Sequence, residues 1–576
     1  MNSTIQKILL PVFIAGMALP ALAQKSVPNG WHLTDPQTSA YYGISLDKAY
    51  QFLAGKKSTP TIVAVIDSGI DTTHEDLRNV LWTNPKEIPG NGIDDDKNGY
   101  IDDVHGWNFL GGKDGRNVKE DSYEAARVFH QYKSKFENVK DPSSLSKDEL
   151  EQYKMWLKSS VDVAGDPSAQ MNLILISNAY KSAAGADTIL QKEIGKQEYS
   201  GNEMDAFTPT TDAGRSAKKK FLFLYQGLQI DKARTNKDVL GEIGEYVAGE
   251  EKKADAKNNA PKNYRGDIVK DNENDINDRS YGNNDIMAST AKHGTHVSGI
   301  IAADRTNNKG VNGIADNVKI MTIRAVPDGD EHDKDIALAI RYAADNGAKV
   351  VNMSFGKGLS PNKEWVDDAV RYAESKGVLL IHAAGNDAAN IDTAWNFPNP
   401  TFLSNKKKAD NWITVGASAA EKNSLVANFS NYGKNEVDVF APGVNIYATV
   451  PGGNTYDNLS GTSMASPVVA GVAALVREYY PNLTAQQVKL VLEKSAVPFT
   501  DDVTNPGTQE KVKLSDLSRA GGVLNAYAAV KMADDLSKNG KYKTETEKIK
   551  IDGKAIKMKT KTPAKKVKTK TKVAAA

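Results

Sequence analysis

Short apolar runs alternate with amphipathic stretches along most of the chain. The apolar runs are rich in Val and Ile, which is typical of strands buried on both faces of a sheet; they lie near residues 61–66, 318–325, 348–353, 378–383, 412–416 and 437–440. Stretches with helical spacing separate them, most clearly at 336–346, 365–376 and 468–480. This alternation predicts an α/β fold, a mainly parallel sheet with helices on both faces. The run 521–530 predicts a closing helix.

A charged, mostly helical pattern interrupts the alternation between residues 113 and 285. We therefore predict an N-terminal part of the sheet domain at 24–112, a helical insertion at 113–285, and the remainder of the sheet domain at 286–537. The length of 576 residues agrees with more than one module, because single cores rarely grow that large.

Both ends of the chain differ in composition from the rest. Lys7 precedes the apolar run 8–19, and Ala21-Leu-Ala23 supplies small residues, so residues 1–23 are predicted to be a signal peptide cleaved after Ala23. An uncleaved anchor is the alternative, although the run is shorter than the roughly twenty residues that span a bilayer. We expect no transmembrane segment elsewhere, and a periplasmic or extracellular location.

The other end, residues 538–576, is rich in lysine and is predicted to be a disordered tail. Between 541 and 572 it carries 13 Lys and 3 acidic residues, a net charge of +10 in a chain of +1 overall. Since the chain as a whole is nearly neutral, no specific nucleic-acid partner is expected. The absence of cysteine excludes disulfides and a thiol nucleophile.

Two polar residues stand where α/β proteins place chemistry. Asp67 ends the first apolar run, at the edge where open sheets bind ligands, although a lone Asp also serves as a turn residue. Ser463 lies just before the helical run 468–475. A helix start offers unpaired N–H groups and a positive dipole, both of which favour negative charge beside the hydroxyl. An ordinary N-cap is the alternative for this serine.

Two further segments carry a histidine pair and an asparagine. His293 and His296 open a helical pattern with small residues between them. A metal pair is one interpretation, but metalloprotease pairs are usually spaced i, i+4 with a Glu between them, and none stands here. Asn386 follows a buried strand pattern, where its amide could donate to a developing oxyanion or simply occupy a turn.

Taken together, these segments resemble the subtilisin-like serine proteases. The resemblance is carried by Asp67-Ser-Gly, His293-Gly-Thr-His, Ala384-Gly-Asn386 and Gly461-Thr-Ser-Met-Ala-Ser-Pro467, in the chain order Asp, His, Ser of that family. It covers residues from about 60 to 112 and from about 286 to 533. It implies the subtilisin-like form of the α/β fold and a serine endopeptidase that acts on proteins or peptides without an organic cofactor.

The resemblance also implies a role for each matched residue. Ser463 is the nucleophile, His293 its general base and acid, and Asp67 the residue that orients the imidazole. Asn386 and the backbone N–H of Ser463 form the oxyanion hole. A catalytically silent binding protein that keeps the fold is the alternative. The insertion either restricts access at the rim of the cleft or decorates the fold far from the site.

Substrate binding is assigned by the same resemblance to the segment Ser354-Phe355-Gly356. Its backbone would pair with an extended peptide, and Phe355 and Gly356 would border the side-chain pockets. The alternative for Phe355 is an ordinary core position.

Calcium is the expected metal. Asp94, Asp96 and Asn98 alternate before a glycine, and Asp102 follows, which repeats the order of an EF-hand loop. Because His105 stands where the closing Glu belongs, a modified calcium loop is predicted, with an acidic turn as the alternative.

A second calcium site is implied by the resemblance alone, at Asp76 and Asn307.

Overall fold

The computed structural model of the protein describes residues 27–539, apart from 166, 229, 231 and 233. The predicted signal peptide and nearly all of the predicted lysine-rich tail lie outside the described residues. No helix in the described part is long and apolar enough to cross a membrane. The described residues form two compact units, a helical unit of Glu120–Tyr264 and a sheet unit made of the flanking residues.

The helical unit is shorter than the predicted insertion, because residues 113–119 and 265–285 belong to the sheet unit. Contacts within the sheet unit explain the difference. The Arg116 side chain donates to the carbonyl of Asp267 at 2.6 Å. The buried Arg265 guanidinium forms ion pairs with Asp271 at 2.9 Å and with Asp335 at 2.5 Å. Both stems of the insertion are thus held by the sheet unit.

Strands and helices alternate in the sheet unit as the apolar pattern predicts. Its strands are β1 (Thr61–Asp67), β2 (Gly106–Asn108), β3 (Val318–Arg324), β4 (Val350–Met353), β5 (Leu379–Ala383), β6 (Trp412–Ser418), β7 (Val439–Pro442), β8 (Ile446–Val450), β9 (Thr455–Leu459), β10 (Val497–Pro498), β11 (Asp502–Thr504), β12 (Lys511–Lys513) and β13 (Gly522–Val523).

The helices of both units follow the same chain order. They are α1 (Leu46–Leu53), α2 (Glu124–Phe136), α3 (Lys147–Ala164), α4 (Pro167–Ile194), α5 (Gly201–Ala206), α6 (Asp212–Gly227), α7 (Asn236–Asp255), α8 (Lys292–Ala302), α9 (Asp333–Asp345), α10 (Lys363–Ser375), α11 (Thr462–Tyr479), α12 (Ala485–Ser495) and α13 (Ala526–Asn539). Helices α2 to α7 belong to the helical unit, where α4, α6 and α7 share an apolar core.

A nine-stranded sheet has the order β10-β13-β7-β6-β5-β4-β1-β3-β2, and its strand pairs are parallel except β10 with β13. This confirms the predicted fold class. Strand β1 pairs with β3 on one side and with β4 on the other, so the strand order reverses beside it. Ligand crevices of open α/β sheets form outside the carboxyl ends of the strands at such a reversal.

Core packing fixes which edge of the sheet carries the polar residues. Val63 and Val65 share one apolar core with Val468 and Val472 of α11. The strand interiors are thus occupied by apolar side chains. Polar residues therefore stand beyond the carboxyl ends of β1, β4 and β5, where the chain leaves the sheet. Asp67 ends β1, and the segments that follow β4 and β5 contain the predicted substrate-binding strand and Asn386.

The closing helix begins later than the apolar run predicts. Gly522 and Val523 form β13, which pairs with β7, and α13 begins only at Ala526. Short apolar runs that contain small residues fit a strand and a helix equally well, and here the free edge of β7 selects the strand.

Glu493 generates a prediction about stability. Glu493 is half-buried and lies near Asp438. Lys489 Nζ lies 3.6 Å from a carboxylate oxygen of Glu493 and 3.6 Å from one of Asp438. Burial raises the pKa of Glu493 from 4.5 to about 7, the Asp438 carboxylate adds to this, and Lys489 opposes it. The folded protein therefore keeps a proton that the unfolded chain loses, so stability falls as pH rises from about 4.5 to 7 and is level above that.

The E493Q variant should lack this dependence, which amounts to at most about 1.4 kcal/mol per pH unit. Thermal unfolding at pH 5 and pH 7.5 checks it: the Tm of the variant should gain on that of the wild type at the higher pH. E421Q, at an exposed position, is the control. Parallel pH curves for E493Q and wild type would contradict the expectation.

Candidate active site

Asp67 and His293 form a hydrogen-bonded pair. His293 Nδ1 lies 2.7 Å from Asp67 Oδ1, which also accepts the N–H of Ser68 at 2.8 Å. Asp67 is 2% exposed, whereas His293 is half-buried. Because Nδ1 faces a carboxylate, it carries the proton of the neutral ring, and Nε2 is left as an acceptor. The pair can therefore take a proton at Nε2.

A glycine lets the two residues approach. Gly294 follows His293 in α8, and a Cβ on it would lie 2.2 Å from the carbonyl oxygen of Gly69 and 3.2 Å from the Cβ of Asp67. No side chain fits at 2.2 Å, so the helix start packs on the turn after β1 only with glycine here. The Ser68 hydroxyl accepts the N–H of Gly294 at 3.4 Å.

Ser463 is the second residue of α11 and lies beside the segment that follows β4. Its hydroxyl donates to the carbonyl of Ser354 at 3.1 Å, and the Ser354 hydroxyl donates to the carbonyl of Ser463 at 2.9 Å. The second bond is available because Pro467, four residues later, has no N–H for that carbonyl. Ser463 thus makes no hydrogen bond to His293 here; catalytic hydrogen bonds are often formed only when substrate binds.

Asn386 is oriented by the start of the same helix. Its Oδ1 accepts both the N–H and the hydroxyl of Thr462 at 2.9 Å. The amide nitrogen is therefore turned away from Thr462. A methyl group built on Gly461 would lie 3.4 Å from Asn386 Nδ2 and 3.6 Å from the backbone nitrogen of Ser463. The nitrogens of two potential donors therefore lie close to one position at the mouth of α11.

Asn431, which the sequence analysis missed, holds the loop that carries Asn386. Its Nδ2 donates to the carbonyl of Ala384 at 2.9 Å, and its Oδ1 accepts the N–H groups of Asp387 and Ala389 at 3.0 and 2.9 Å. It lies 45 positions along the chain from Asn386, in a segment without periodicity, so no sequence signal marked it.

The segment Ser354-Phe355-Gly356 leaves β4 and passes the start of α11. Its far end is fixed by a pair of backbone hydrogen bonds, 2.9 Å each, between Lys357 and Phe397. His382 Nε2 lies 2.8 Å from the carbonyl oxygen of Phe355, and burial lowers the pKa of His382 to about 4, so the ring is a neutral donor there. Phe355 is half-buried and Gly356 is exposed.

His296 serves the fold instead of a metal. It is fully buried, and its Nε2 lies 2.9 Å from the carbonyl oxygen of Ile446 and 3.1 Å from that of Asp457. An Nε2–H that donates to two carbonyls has no lone pair for a metal, and although Nδ1 keeps one, His296 is not part of the metal-ligating cluster found among the described residues. Burial lowers the pKa of His296 to about 3, so the ring stays neutral.

The acidic loop brings together a set of carboxylates that includes one the sequence analysis missed. Oxygens of Glu87, Asp94 and Asp96 lie within 4.8 Å of one another. Glu87 Oε1 accepts the N–H groups of Asp95 and Asp96 at 3.1 and 3.2 Å, while Glu87 Oε2 and Asp96 Oδ2 are buried without a hydrogen-bond partner in the described part of the chain. Burial, with the Asp96 carboxylate nearby, raises the pKa of Glu87.

Asp102 and Asn98, the other two predicted ligands of this loop, make hydrogen bonds within the loop. Asp102 lies outside the carboxylate cluster, and its oxygens accept the N–H groups of Gly90 and Gly92 at 2.9 and 2.7 Å. The Asn98 backbone N–H donates to both Asp94 and Asp96. Glu87 precedes the repeat by seven residues, so the EF-hand spacing could not indicate it.

Asp76 and Asn307, the residues of the second predicted calcium site, are in contact. Asn307 Nδ2 donates to Asp76 Oδ1 at 2.6 Å. Asp76 Oδ2 accepts the N–H of Val311 at 3.0 Å and the hydroxyl of Tyr456 at 2.9 Å. Both Asp76 oxygens therefore have protein donors in this structure.

Comparison with known proteins identifies the family of this chain. The family model described as "Subtilase family" matches residues 58–527. The thermophilic serine proteinase of Bacillus sp. (strain AK1) is 39% identical over 239 residues, which are 41% of this chain and 52% of that protein. Subtilisin DY of Bacillus licheniformis is 41% identical over 212 residues, 36% of this chain and 72% of that protein.

Thermitase of Thermoactinomyces vulgaris is 37% identical over 239 residues, 41% of this chain and 74% of that protein. The matches to these relatives therefore span from about half to about three quarters of their length. The family match includes the pair Asp67–His293, the helix start at Ser463 and most of the described chain. The chain belongs to the subtilase family of serine peptidases.

Proposed function

We propose that this protein is an exported serine endopeptidase that cleaves peptide bonds through an acyl-enzyme on Ser463. The observation that carries the proposal is the hydrogen bond of 2.7 Å between Asp67 and His293, because it leaves His293 Nε2 as the acceptor that a serine nucleophile needs. Ser463 lies at the start of α11, and α11 packs against α8, the helix that carries His293.

The reaction proceeds in two halves. In the first, Ser463 Oγ bonds to the carbonyl carbon of the substrate while its proton passes to His293 Nε2. The tetrahedral intermediate collapses as the C–N bond breaks and the same proton passes to the leaving amine. In the second, water repeats these steps on the acyl-enzyme and restores the Ser463 hydroxyl. The Asp67 carboxylate stays ionised and stabilises the imidazolium.

The negative charge of the intermediate would be held by Asn386 Nδ2 and the backbone N–H of Ser463. These are the two donors that flank one position beside Gly461. The Thr462 contacts fix the Asn386 amide before substrate arrives, so no reorganisation is needed in the transition state. Removing one such donor typically lowers turnover by about 100- to 1,000-fold.

Substrate would bind as an extended strand along Ser354-Phe355-Gly356. The bond from Ser463 Oγ to the Ser354 carbonyl joins this segment to the nucleophile, and the Lys357–Phe397 pair fixes its far end. Backbone pairing of this kind accepts many sequences, since the hydrogen bonds go to the main chain of the peptide. Polypeptides are therefore the proposed substrate class.

Replacing Ser463 by alanine tests the function. S463A should lose at least about 1,000-fold in hydrolysis of a chromogenic peptide, because the residual rate comes only from binding and the oxyanion hole. Its Tm should match that of the wild type within a few degrees. S375A, at an exposed serine of α10, is the control.

A fluorophosphonate probe gives a second readout on the same variants. It should label the wild type and S375A but not S463A. A catalytically silent binding protein that keeps the fold is the second candidate function. The hydrogen bond from the Ser463 hydroxyl to the Ser354 carbonyl fits it, because this hydroxyl is not hydrogen-bonded to the His293 imidazole. Absence of both labelling and hydrolysis in the wild type would favour that second function and contradict the proposed endopeptidase function.

Gly294 generates a prediction about the Asp67–His293 pair. In G294A the new methyl group would lie 2.2 Å from the carbonyl oxygen of Gly69. Because that is too close for a non-bonded contact, the start of α8 must shift. A displacement near 1 Å at a catalytic group costs about 100-fold, so turnover should fall by at least that factor. G241A, in open space on α7, is the control and should keep full activity. Equal activity of the two variants would contradict this account of the packing.

We further propose a structural calcium ion at Glu87, Asp94 and Asp96. Two buried carboxylate oxygens there have no donor within the described residues, and calcium takes six to eight oxygen ligands, carboxylates among them. The ion would add to the one ammonium near these carboxylates among the described residues, Lys86 Nζ, which lies 3.6 Å from Asp96 Oδ2. Asn98 and water would complete the shell, and Asp102 would shape the loop through Gly90 and Gly92.

Thermal unfolding with and without a chelator tests the calcium site. Ion binding to the folded form alone adds about 2.7 kcal/mol at a concentration 100 times the Kd, so chelation should lower the Tm by several degrees. E87Q should weaken the calcium-dependent shift, whereas D114N, an exposed acid outside the cluster, should leave it unchanged. A shift that E87Q leaves intact would place the ion elsewhere, for example near Asp76.

Export is proposed from the N-terminal pattern, with cleavage after Ala23 and a periplasmic or extracellular location. Mass spectrometry of the mature protein recovered from the producing cells would check the predicted cleavage position.

A further inference from the structure

Arg324 is a buried cation that forms no ion pair with a carboxylate among the described residues, and the charge of Asp285 only partly opposes the effect of burial on its pKa. It ends β3 and is fully buried. Its guanidinium donates to the carbonyl of Ser68 at 3.0 Å, the Asn108 side-chain oxygen at 3.0 Å, the Val118 carbonyl at 2.6 Å and the Thr290 hydroxyl at 3.0 Å. All four acceptors are neutral. Burial lowers the pKa of Arg324 to about 10, which leaves it charged near neutral pH.

Burial of such a group destabilises the folded state unless other contacts compensate it. Removing a charge from water costs several kcal/mol, and a carboxylate partner usually offsets part of that. Here the hydrogen bonds of the guanidinium go to neutral acceptors, and the charge of Asp285 adds to their effect. The four acceptors are contacted by three nitrogens of one planar guanidinium, an arrangement that a lysine ammonium could not reproduce. The residue therefore joins several chain segments at once.

Two of these segments carry the proposed catalytic pair. Ser68 directly follows Asp67, and Thr290 lies three residues before His293. The Thr290 hydroxyl also donates to the Ser68 carbonyl at 3.1 Å, so the guanidinium closes a triangle with both. In addition, Arg324 is the register partner of Asp67 in the parallel pair β1–β3.

The other two acceptors come from the stem of the insertion. Asn108 ends β2 and Val118 lies just before the helical unit begins. The chain leaving toward the helical unit and the chain returning toward α8 thus meet on one guanidinium. The Ile70 N–H also donates to the carbonyl of Ile286 at 3.0 Å, but Arg324 contacts both stems and the turn after β1 through a single side chain.

We propose that Arg324 is a positioning residue for the Asp67–His293 pair, acting through the Ser68 carbonyl and the Thr290 hydroxyl. The inference rests on the proposed endopeptidase function. Among the described residues, the side-chain hydrogen bonds of Arg324 go neither to the substrate strand after β4 nor to the start of α11. Loss of the guanidinium should therefore impair the chemical step and leave peptide binding largely intact.

Kinetics of the full-length R324Q variant with a chromogenic peptide test the proposal. Turnover should fall by about 100-fold, the usual cost of a catalytic group misplaced by about 1 Å, while KM should change less than about threefold. R324K should lie between R324Q and wild type, because an ammonium keeps the charge but reaches fewer acceptors. Added guanidinium ion should restore part of the R324Q activity.

Arg477 offers a matched control. It is also buried, donates to the carbonyls of Leu483 and Gly377, and its pKa is lowered by burial to about 10. It lies fourteen residues after Ser463 in α11, remote from the pair. R477Q should lower the Tm as R324Q does but keep its turnover number within about threefold of wild type.

Proton NMR of the His293 Nδ1–H separates this inference from the proposed function. The low-field resonance expected for an imidazole N–H bonded to a carboxylate should be present in wild type and R477Q, and lost or displaced in R324Q. Equal turnover and an unchanged resonance in R324Q would overturn the positioning role. A wild type that shows the resonance but neither hydrolyses peptides nor reacts with fluorophosphonate would overturn the endopeptidase function alone.

Discussion

The hydrogen bond between Asp67 and His293 is the constraint on which the rest of the site depends, because it joins residues 226 positions apart in the chain. Such a bond forms only if the carboxyl end of β1 and the start of α8 meet, and a complete helical unit is inserted between them. The sheet supplies one half of this juxtaposition, since β1 is the strand beside which the order reverses. Close packing at Gly294 supplies the other.

Burial then decides what each polar group can do. Asp67 loses water and gains two N–H donors, so its carboxylate is fixed rather than solvated. His296 and His382, both buried, are kept neutral and serve as donors to carbonyls, whereas His293 is half-buried and retains an open Nε2. Three histidines with the same side chain thus differ in role because their surroundings differ.

Apolar periodicity predicts the six adjacent strands from β7 to β3 well, since both faces are covered and each is a mainly apolar run, but it misses the short strands β2, β10 and β13 at the two ends of the sheet. It also indicates the ends of β1 and β5, where Asp67 and Asn386 stand. It could not indicate Asn431 or Arg324, because each acts through contacts between segments far apart in sequence, nor Glu87, which lies outside the repeat that marks the acidic loop. The hydrogen bond from the Ser354 hydroxyl to the Ser463 carbonyl was likewise not predictable from periodicity. It depends on Pro467, four residues after Ser463, and in the sequence alone this proline is only an unusual residue within a helix.

The insertion is tolerated because its stems are closed before the helical unit begins. Asn108 and Asn283 exchange backbone hydrogen bonds of 2.9 and 3.1 Å, and the Asn108 amide also bonds the side chains of Asn117 and Asn283. The cost of closing a loop grows only with the logarithm of its length, so extra residues beyond a closed stem add little. What the stem must preserve is local: the Ser68 carbonyl, the Thr290 hydroxyl and the guanidinium between them. A change in either stem would therefore reach the Asp67–His293 pair through that junction.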